Sequence, residues 1–333
     1  MPITIQDFVS NHNNDYGFNP DLEISNINFN SDLSSLSVVI PYYRTGDIIC
    51  LVLKHLYNSI LKVKNNLPNW NYEVIIVDDG SPDRQLTNYV NTSDYLNLKL
   101  ISLEQNGGRA MARNKGLVAA NFEKVLFIDS DVLIDSNHII NHLKLHYKAW
   151  QISKKNIISV GLFEFTDQSN QKIFQNEIKP TDLNINDYRV HCIYQSSWIG
   201  TISDLQFAGQ DFRILKQTNY FRNWKGNFGP WSLVNMVLGG SFSLDRREAM
   251  MVNGFSNKIK GYGFDETTLP AKLIAKFNSY LIPVVVGGGI HIEDPKINLS
   301  QEQKDIEFRK KYDFFFNTYM KLNLEDAIYE DRK

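Results

Sequence analysis

The stretch Tyr72–Ser81 reads YEVIIVDDGS, and it decides the fold. A short apolar run, Glu73 to Val77, breaks off into two carboxylates, a glycine and a serine. An apolar run of this length bounded by turn residues is the pattern of a strand buried on both faces of a parallel sheet. Asp78-Asp79-Gly80-Ser81 is good turn chemistry by itself, so alone it says only that the strand stops there.

The same pattern continues on both sides. Upstream, LSVVIPYY (Leu36–Tyr43) is a second buried-strand run, ending at Pro41. Asp47 to Val63 then has helical spacing through Ile48, Leu51, Val52, His55, Leu56 and Ile60. Downstream come a polar helix from about Pro82, a strand Leu98–Leu103, a helix Gly108–Ala120 and a strand Lys124–Ile128 that stops at Asp129. Strand and helix alternate four times, the signature of an α/β fold with a mostly parallel, Rossmann-like central sheet flanked by helices. In such open sheets ligands bind beyond the carboxyl ends of the strands, so the polar residues after each strand carry the interest.

Bulk properties narrow the class. The chain has 333 residues, 43% hydrophobic and 22% charged, enough for a large folded core. With 35 basic and 37 acidic side chains the net charge is −2, which argues against a protein built to grip nucleic acid. Two cysteines, Cys50 and Cys192, make neither a disulfide framework nor a metal-type spacing, and fit a cytoplasmic setting. The opening MPITIQDFVSNHNNDYG has no basic start and no long apolar run, so no ordinary signal peptide is expected. No apolar run approaches the ~20 residues of a membrane span, which leaves peripheral contact at the inner membrane face as the membrane option.

Three consecutive strand ends bear unusual chemistry. One carries Asp78-Asp79, another Asp129-Ser130-Asp131, and between them Asn106-Gly107-Gly108-Arg109 opens a helix that also carries Arg113 and Asn114. Paired carboxylates at a strand end suit one hard divalent cation, Mg²⁺ or Mn²⁺, shared with substrate phosphates. Gly107-Gly108 at a helix start lets backbone approach a phosphate, and Arg109 adds a permanent positive charge. Each motif alone also fits an ordinary solvated turn; their convergence on one sheet edge makes the case.

SVVIPYYR, VIIVDDGSPD, NGGRAMARNKGL and VLFIDSDV, in this order and spacing over about Leu36–Leu133, resemble the nucleotide-binding half of family 2 glycosyltransferases of the GT-A fold. The resemblance implies an inverting, hexosyltransferase-type enzyme that takes a nucleotide sugar, UDP-linked, as donor. It implies donor recognition by Pro41, Tyr43, Asp79, Gly108 and Arg109, with Asp129 on the ribose side and Asp131 on the metal. It also divides the chain into an N-terminal extension (1–34), a nucleotide-sugar-binding half (35–135), an acceptor-binding and catalytic half (136–295) and a C-terminal helical tail (296–333).

The second half matches more loosely. VLGGSFSLDRREAMMVNGFSNKIKGYGFDETTLPAKL resembles the family stretch with a glycine pair, an arginine, a Gly-Phe and then Gly-Trp-Gly-x-Glu-Asp. Gly240 of the pair joins the donor-binding set. The family's final Asp is the catalytic base. Here the two acids are exchanged: Glu266 stands in the base's position, Asp265 in its neighbour's, and either is a candidate. Tyr262 replaces the usual Trp. A helix-start acid pair without chemistry is the alternative.

His291 follows the strand Tyr280–Val286 and its glycine run. Related enzymes place a metal-binding His in a comparable late position, so it joins Asp129 and Asp131 as a ligand candidate; a hydrogen-bonded surface residue is the other reading. His138, His142 and His146, four apart on a helix, read as a solvated or groove-facing stripe rather than a zinc site. Aromatics between Thr166 and Trp231 suit either an acceptor-binding insert or a hydrophobic cluster under a long loop. The C-terminal helix, Gln301 to Lys321, carries Phe308, Tyr312, Phe314, Phe315, Phe316 and Tyr319 for packing on the domain or on another subunit.

Two other functional classes share these features. A non-catalytic nucleotide-sugar-binding protein is favoured only by the exchanged Asp265-Glu266 pair. A nucleotidyltransferase needs a glycine-rich basic loop after the first strand, where Pro41-Tyr42-Tyr43-Arg44 stands instead. The acceptor is open between glycan, lipid, peptide and small molecule.

Overall fold

A computed structural model describes residues 2–14, 16–18, 33–82, 85–167, 227–228, 231–237, 240–260, 263–293 and 301–330. The aromatic stretch around Trp198, Phe212 and Trp224, and Tyr262, lie outside the described residues. In chain order the elements are α1 (Ile5–Asn11), β1 (Leu36–Tyr42), α2 (Ile48–Asn66), β2 (Tyr72–Asp78), α3 (Gln85–Tyr89), β3 (Leu98–Ser102) and α4 (Arg109–Ala119). Then follow β4 (Lys124–Ile128), β5 (Val132–Ile134), α5 (His138–Ser153), β6 (Ile157–Asp167), β7 (Asn227–Phe228), β8 (Trp231–Ser232), β9 (Ser241–Asp245) and α6 (Arg246–Met251). The chain closes with α7 (Thr268–Phe277), β10 (Tyr280–Glu293), α8 (Gln301–Asn317) and α9 (Leu324–Tyr329).

Among the described residues eight strands form one sheet in the order β3-β2-β1-β4-β9-β6-β10-β5. The first four run parallel, β9 runs antiparallel between β4 and β6, and β10 lies parallel to β6. Every residue of β1 and β2 is buried, as their continuous apolar sequence requires. One core cluster packs α2 and part of α5 on one sheet face, and the other packs α4, α6 and α7 on the opposite face. No helix among the described residues is long and apolar enough to cross a membrane.

Two expectations change, one in the last strand and one in the C-terminal helix. The glycine run 287–289 does not end the last strand: β10 runs through it to Glu293, and its register against β6 shifts between Val284 and Gly289. Glycines accommodate such an irregularity without breaking the ladder, so His291 lies inside a paired strand. The N-terminal extension is partly built. Thr4 and Asp7 form a reciprocal capping box that starts α1, and Ile5 N–H donates to the Leu322 carbonyl (2.8 Å). The C-terminal helix ends at Asn317, followed by a 3₁₀ turn at Tyr319–Lys321 and by α9.

The histidine stripe is corrected as well: it is neither solvated nor groove-facing. His138, His142 and His146 are all buried, and face β6 and β9. Alternation along β9 sends Phe242 and Leu244 into the core on the α4 side and leaves Ser241 and Ser243 facing α5. His138 Nε2 lies 2.6 Å from Ser241 Oγ and 3.2 Å from His142 Nε2. His142 Nδ1 lies 2.7 Å from Ser159 Oγ, and His146 Nε2 lies 3.1 Å from both Ser243 Oγ and Ser159 Oγ. Gly161 makes room: a Cβ there would sit 2.7 Å from His138 Cε1 and 2.8 Å from Ser241 Oγ. Burial pushes His142 and His146 well below the usual imidazole range, so both stay neutral.

Candidate active site

The site lies beyond the carboxyl ends of β1, β2 and β4. Asp79 follows β2, and its two oxygens accept the N–H groups of Gly107 and Gly108, both at 2.8 Å. Asp79 thereby fixes the turn that opens α4. Gly108 caps that helix with φ +92°, a conformation side chains rarely adopt. Burial pushes the Asp79 carboxyl up, and the two amide bonds pull against it. Pro41 is buried in β1 beside Val77, while Tyr43 is exposed with the Arg44 guanidinium 5.1 Å over its ring. Thr45 Oγ1 meets Ser130 Oγ at 2.5 Å, which ties the loop after β1 to the Asp129–Asp131 turn.

That turn points its two acids differently. The Asp129 amide donates to the Gly240 carbonyl (3.3 Å), and Arg113 Nη2 donates to Asp129 Oδ1 (2.7 Å). Asp131 faces the other way, toward β10. Ile292 N–H donates to the Asp131 carbonyl (2.8 Å), which draws His291 Nε2 to 3.4 Å from Asp131 Oδ1. That oxygen has no hydrogen-bond partner although it is screened from solvent. Burial raises the Asp131 carboxyl above its ordinary range, opposed by His291. Among the described residues no three His, Cys, Asp or Glu side chains are gathered as a ready ligand set; Asp131 and His291 form a two-membered one.

The acid pair sits in the turn before α7. Asp265 Oδ1 accepts from Arg109 Nη2 (2.9 Å) and Asp265 Oδ2 from Arg113 Nη1 (2.6 Å). The two arginines, one helical turn apart on α4, are not equivalent. Arg109 keeps 41% of its side chain exposed, so its pair is screened, whereas Arg113 is fully enclosed. Burial pushes Asp265 up, but Arg109 and Arg113 outweigh it and hold the carboxyl below its ordinary range. Glu266 is different. Burial first, and the neighbouring Asp265 charge second, push its carboxyl up to about 8. Its Oε2 has no hydrogen-bond partner.

Arg113, named in the sequence only as a helix residue, is the hub of this arrangement. It joins the turn after β4 to the turn before α7, and Phe255 lies under its guanidinium at 5.9 Å. The signal was its spacing, four residues after Arg109 on one helix face. Arg109, Arg113, Asp129, Asp131, Asp265 and Glu266 lie within one another's electrostatic reach, and His291 reaches the group through Asp131. Two fixed cations therefore stand among four carboxylates, a setting that holds one acid ionised and its neighbour protonated.

Residues 37–203, half of the chain, match the family model described as glycosyl transferase family 2. The chain belongs to glycosyl transferase family 2. An uncharacterized glycosyltransferase of Bacillus subtilis (strain 168), YfnE, is 24% identical to this family member over 260 residues, 71% of this chain and 59% of the relative. The poly(ribitol-phosphate) beta-N-acetylglucosaminyltransferase TarS of Staphylococcus aureus is 38% identical over 104 residues, 31% of this chain and 17% of the relative. The chain thus spans less than two thirds of either relative. Among solved structures, GalNAc-T7 with UDP, GalNAc and Mn²⁺ matches with a TM-score of 0.52 at 13% identity, over 91% of this chain and 51% of that one. At that identity the likeness concerns the fold, which is the mixed α/β GT-A arrangement.

Proposed function

We propose that this family 2 member is an inverting glycosyltransferase that moves a sugar from a UDP-sugar to an acceptor hydroxyl or related nucleophile, with Glu266 as general base. The observation that carries the reading is the division of labour in the acid pair. Asp265 spends both oxygens on arginines, while Glu266, in the family's base position, keeps an oxygen unpartnered. A base must present a free oxygen and a pKa near the working pH, and Glu266 has both.

Glu266 takes the proton of the acceptor nucleophile as that atom attacks the anomeric carbon, and the bond to the diphosphate breaks on the opposite side. A single displacement of this kind inverts the centre. Arg109, partly exposed at the start of α4, receives the charge that develops on the diphosphate, helped by the N-terminal amides of the helix. Asp265 holds Arg109 in place for this, and Arg113 holds Asp265. Asp79 orders the Gly107-Gly108 turn against which the donor lies.

The donor set fits a divalent ion, Mn²⁺ or Mg²⁺. Asp131 Oδ1 is screened and has no hydrogen-bond donor, and it faces an imidazole nitrogen at 3.4 Å. Asp131 and His291 would hold the ion, with Asp129 beside them and the remaining positions left to donor phosphates. Bound there, it would add Lewis-acid stabilisation of the leaving diphosphate. Cytoplasmic residence, with room for peripheral membrane contact, belongs to the same reading, as does the assignment of residues 136–295 to the acceptor. Calorimetric titration of UDP with Mn²⁺ and then with EDTA tests it. Metal-dependent binding is expected, and absence of binding by a folded sample in both conditions overturns it.

A further inference from the structure

Phe264, the residue before the acid pair, has φ +63°. For a bulky side chain this left-handed conformation is a strained one, kept only where the surroundings enforce it. The surroundings here are aromatic and come from the far end of the chain. Phe315 of α8 stacks on Phe264, with ring centroids 5.3 Å apart and planes at 27°. Tyr312 and Phe316 close on its edges at 6.0 and 6.1 Å. Tyr319 stacks behind Phe315 at 5.8 Å, and its hydroxyl donates to the Thr268 carbonyl at the start of α7 (3.3 Å). Phe264, Phe315 and Tyr319 are all buried. Thr267 closes the turn by donating its hydroxyl to the Phe264 carbonyl (2.9 Å).

We propose that the C-terminal segment Gln301–Lys321 is a clamp on the catalytic acids: Phe315, backed by Tyr319, holds Phe264 in its left-handed conformation and thereby aims Asp265 at the arginines and Glu266 at the acceptor. Phe315 and Phe264 are positioning residues; neither lies among the charged groups that would meet substrate. A φ of +63° at Phe264 reverses the chain just before Asp265, so relaxing that residue to the ordinary negative region would swing both carboxylates away from α4. An aromatic stack offsets the strain because it buries a large apolar area with defined geometry. The other contacts point the same way. The 3₁₀ turn at Tyr319–Lys321 lies between α8 and α1, and α1 and α9 both pack on α7, so both chain ends close around the helix that follows the acid pair.

The inference uses Glu266 as the base, and so rests on the proposed function for its kinetic readout but not for its structural one. Phe315→Leu keeps an apolar filler but removes the ring; Tyr319→Phe removes only the hydroxyl and is the milder change. Turnover is read as UDP release from UDP-glucose and UDP-N-acetylglucosamine in the presence of Mn²⁺, and affinity as UDP binding by calorimetry. For F315L we expect turnover about 10–100-fold lower at saturating donor, with a smaller loss of UDP affinity as Asp265 leaves Arg109. Y319F should lie between the two. A fold-wide loss would lower affinity as far as turnover, together with the melting temperature, and that pattern overturns the clamp, as does full turnover in both folded variants. A crystal structure of whichever variant folds decides independently of activity. Phe264 at negative φ with the Arg113–Asp265 contact opened supports the clamp, and an unchanged turn sinks it. If wild type neither binds UDP nor releases it, the functional reading falls while this structural arm still judges the clamp.

Discussion

Two buried polar networks lie on opposite faces of the same sheet, and they are built on opposite principles. On the α4 face, Arg113 joins Asp129 and Asp265 through contacts of 2.7 and 2.6 Å, and Arg109 completes a charged cluster. On the α5 face, three histidines and three serines bond one another, and burial keeps His142 and His146 uncharged. The charged network holds its members in unequal protonation states and leaves Glu266 Oε2 without a partner. The neutral one spends its polar atoms on holding a helix to two strands. Charge under low dielectric is costly unless paired, so a protein concentrates it where chemistry needs it. Neutral hydrogen bonds do the plain work of packing elsewhere.

The sharpest test of this contrast is Glu266→Gln, which removes the carboxylate of the proposed base and keeps the shape. Turnover of a UDP-sugar should fall by about 10²–10⁴-fold, with UDP affinity retained. The wild-type pH profile should agree. As the proposed base, Glu266 would work only when ionised, and it sits at about 8, so kcat/KM should rise about tenfold per pH unit up to that value and then level. A profile already flat at neutral pH would mean that another group is the base. Next in size is Arg113→Met. It strands Asp129 and leaves Asp265 with Arg109 alone, and should cost about 3–5 kcal/mol in urea denaturation, with Arg113→Lys recovering part of it.

The neutral network should show itself through acid rather than through catalysis. His142 and His146 are depressed in the folded protein and ordinary, near 6.5, in the unfolded chain. Below that value the unfolded state binds protons that the folded state refuses, so stability falls as pH falls. Two such groups contribute a slope of about 2.7 kcal/mol per pH unit. Urea denaturation over a pH series should show His146→Leu losing about half of that slope; an unchanged slope would mean the ladder already carries charge. Smallest is Gly161→Ala, whose Cβ would press on His138 and Ser241. It should cost about 1–3 kcal/mol in the same assay while leaving UDP affinity unchanged.

Particular residues show how far the sequence could be read. Asp79, Gly108, Arg109, Asp129 and Asp131 stood at strand ends and helix starts, places that local patterns define, and the fold brings them to one edge of the sheet. The histidines could not be placed by pattern. Their partners Ser159, Ser241 and Ser243 sit on strands 13 to 103 residues away in sequence, and polar side chains on a helix ordinarily signal solvent. The exchange of Asp265 and Glu266 was visible, but not its meaning. Which acid is ionised depends on the distances to Arg109 and Arg113, and those on how α7 docks against α4.

The sequence by itself determined the alternating strands and helices, the parallel sheet and the edge where polar residues collect. Those follow from periodicity and from turn chemistry, which act over a few residues. Tertiary structure alone decided the rest: that Arg113 is enclosed between two acids, that a histidine stripe faces serines, and that Phe315 reaches Phe264 across 51 positions of chain. Burial and charge pairing arise only when distant segments meet. The protonation of Glu266 is therefore a property of the packed molecule and not of the motif that contains it.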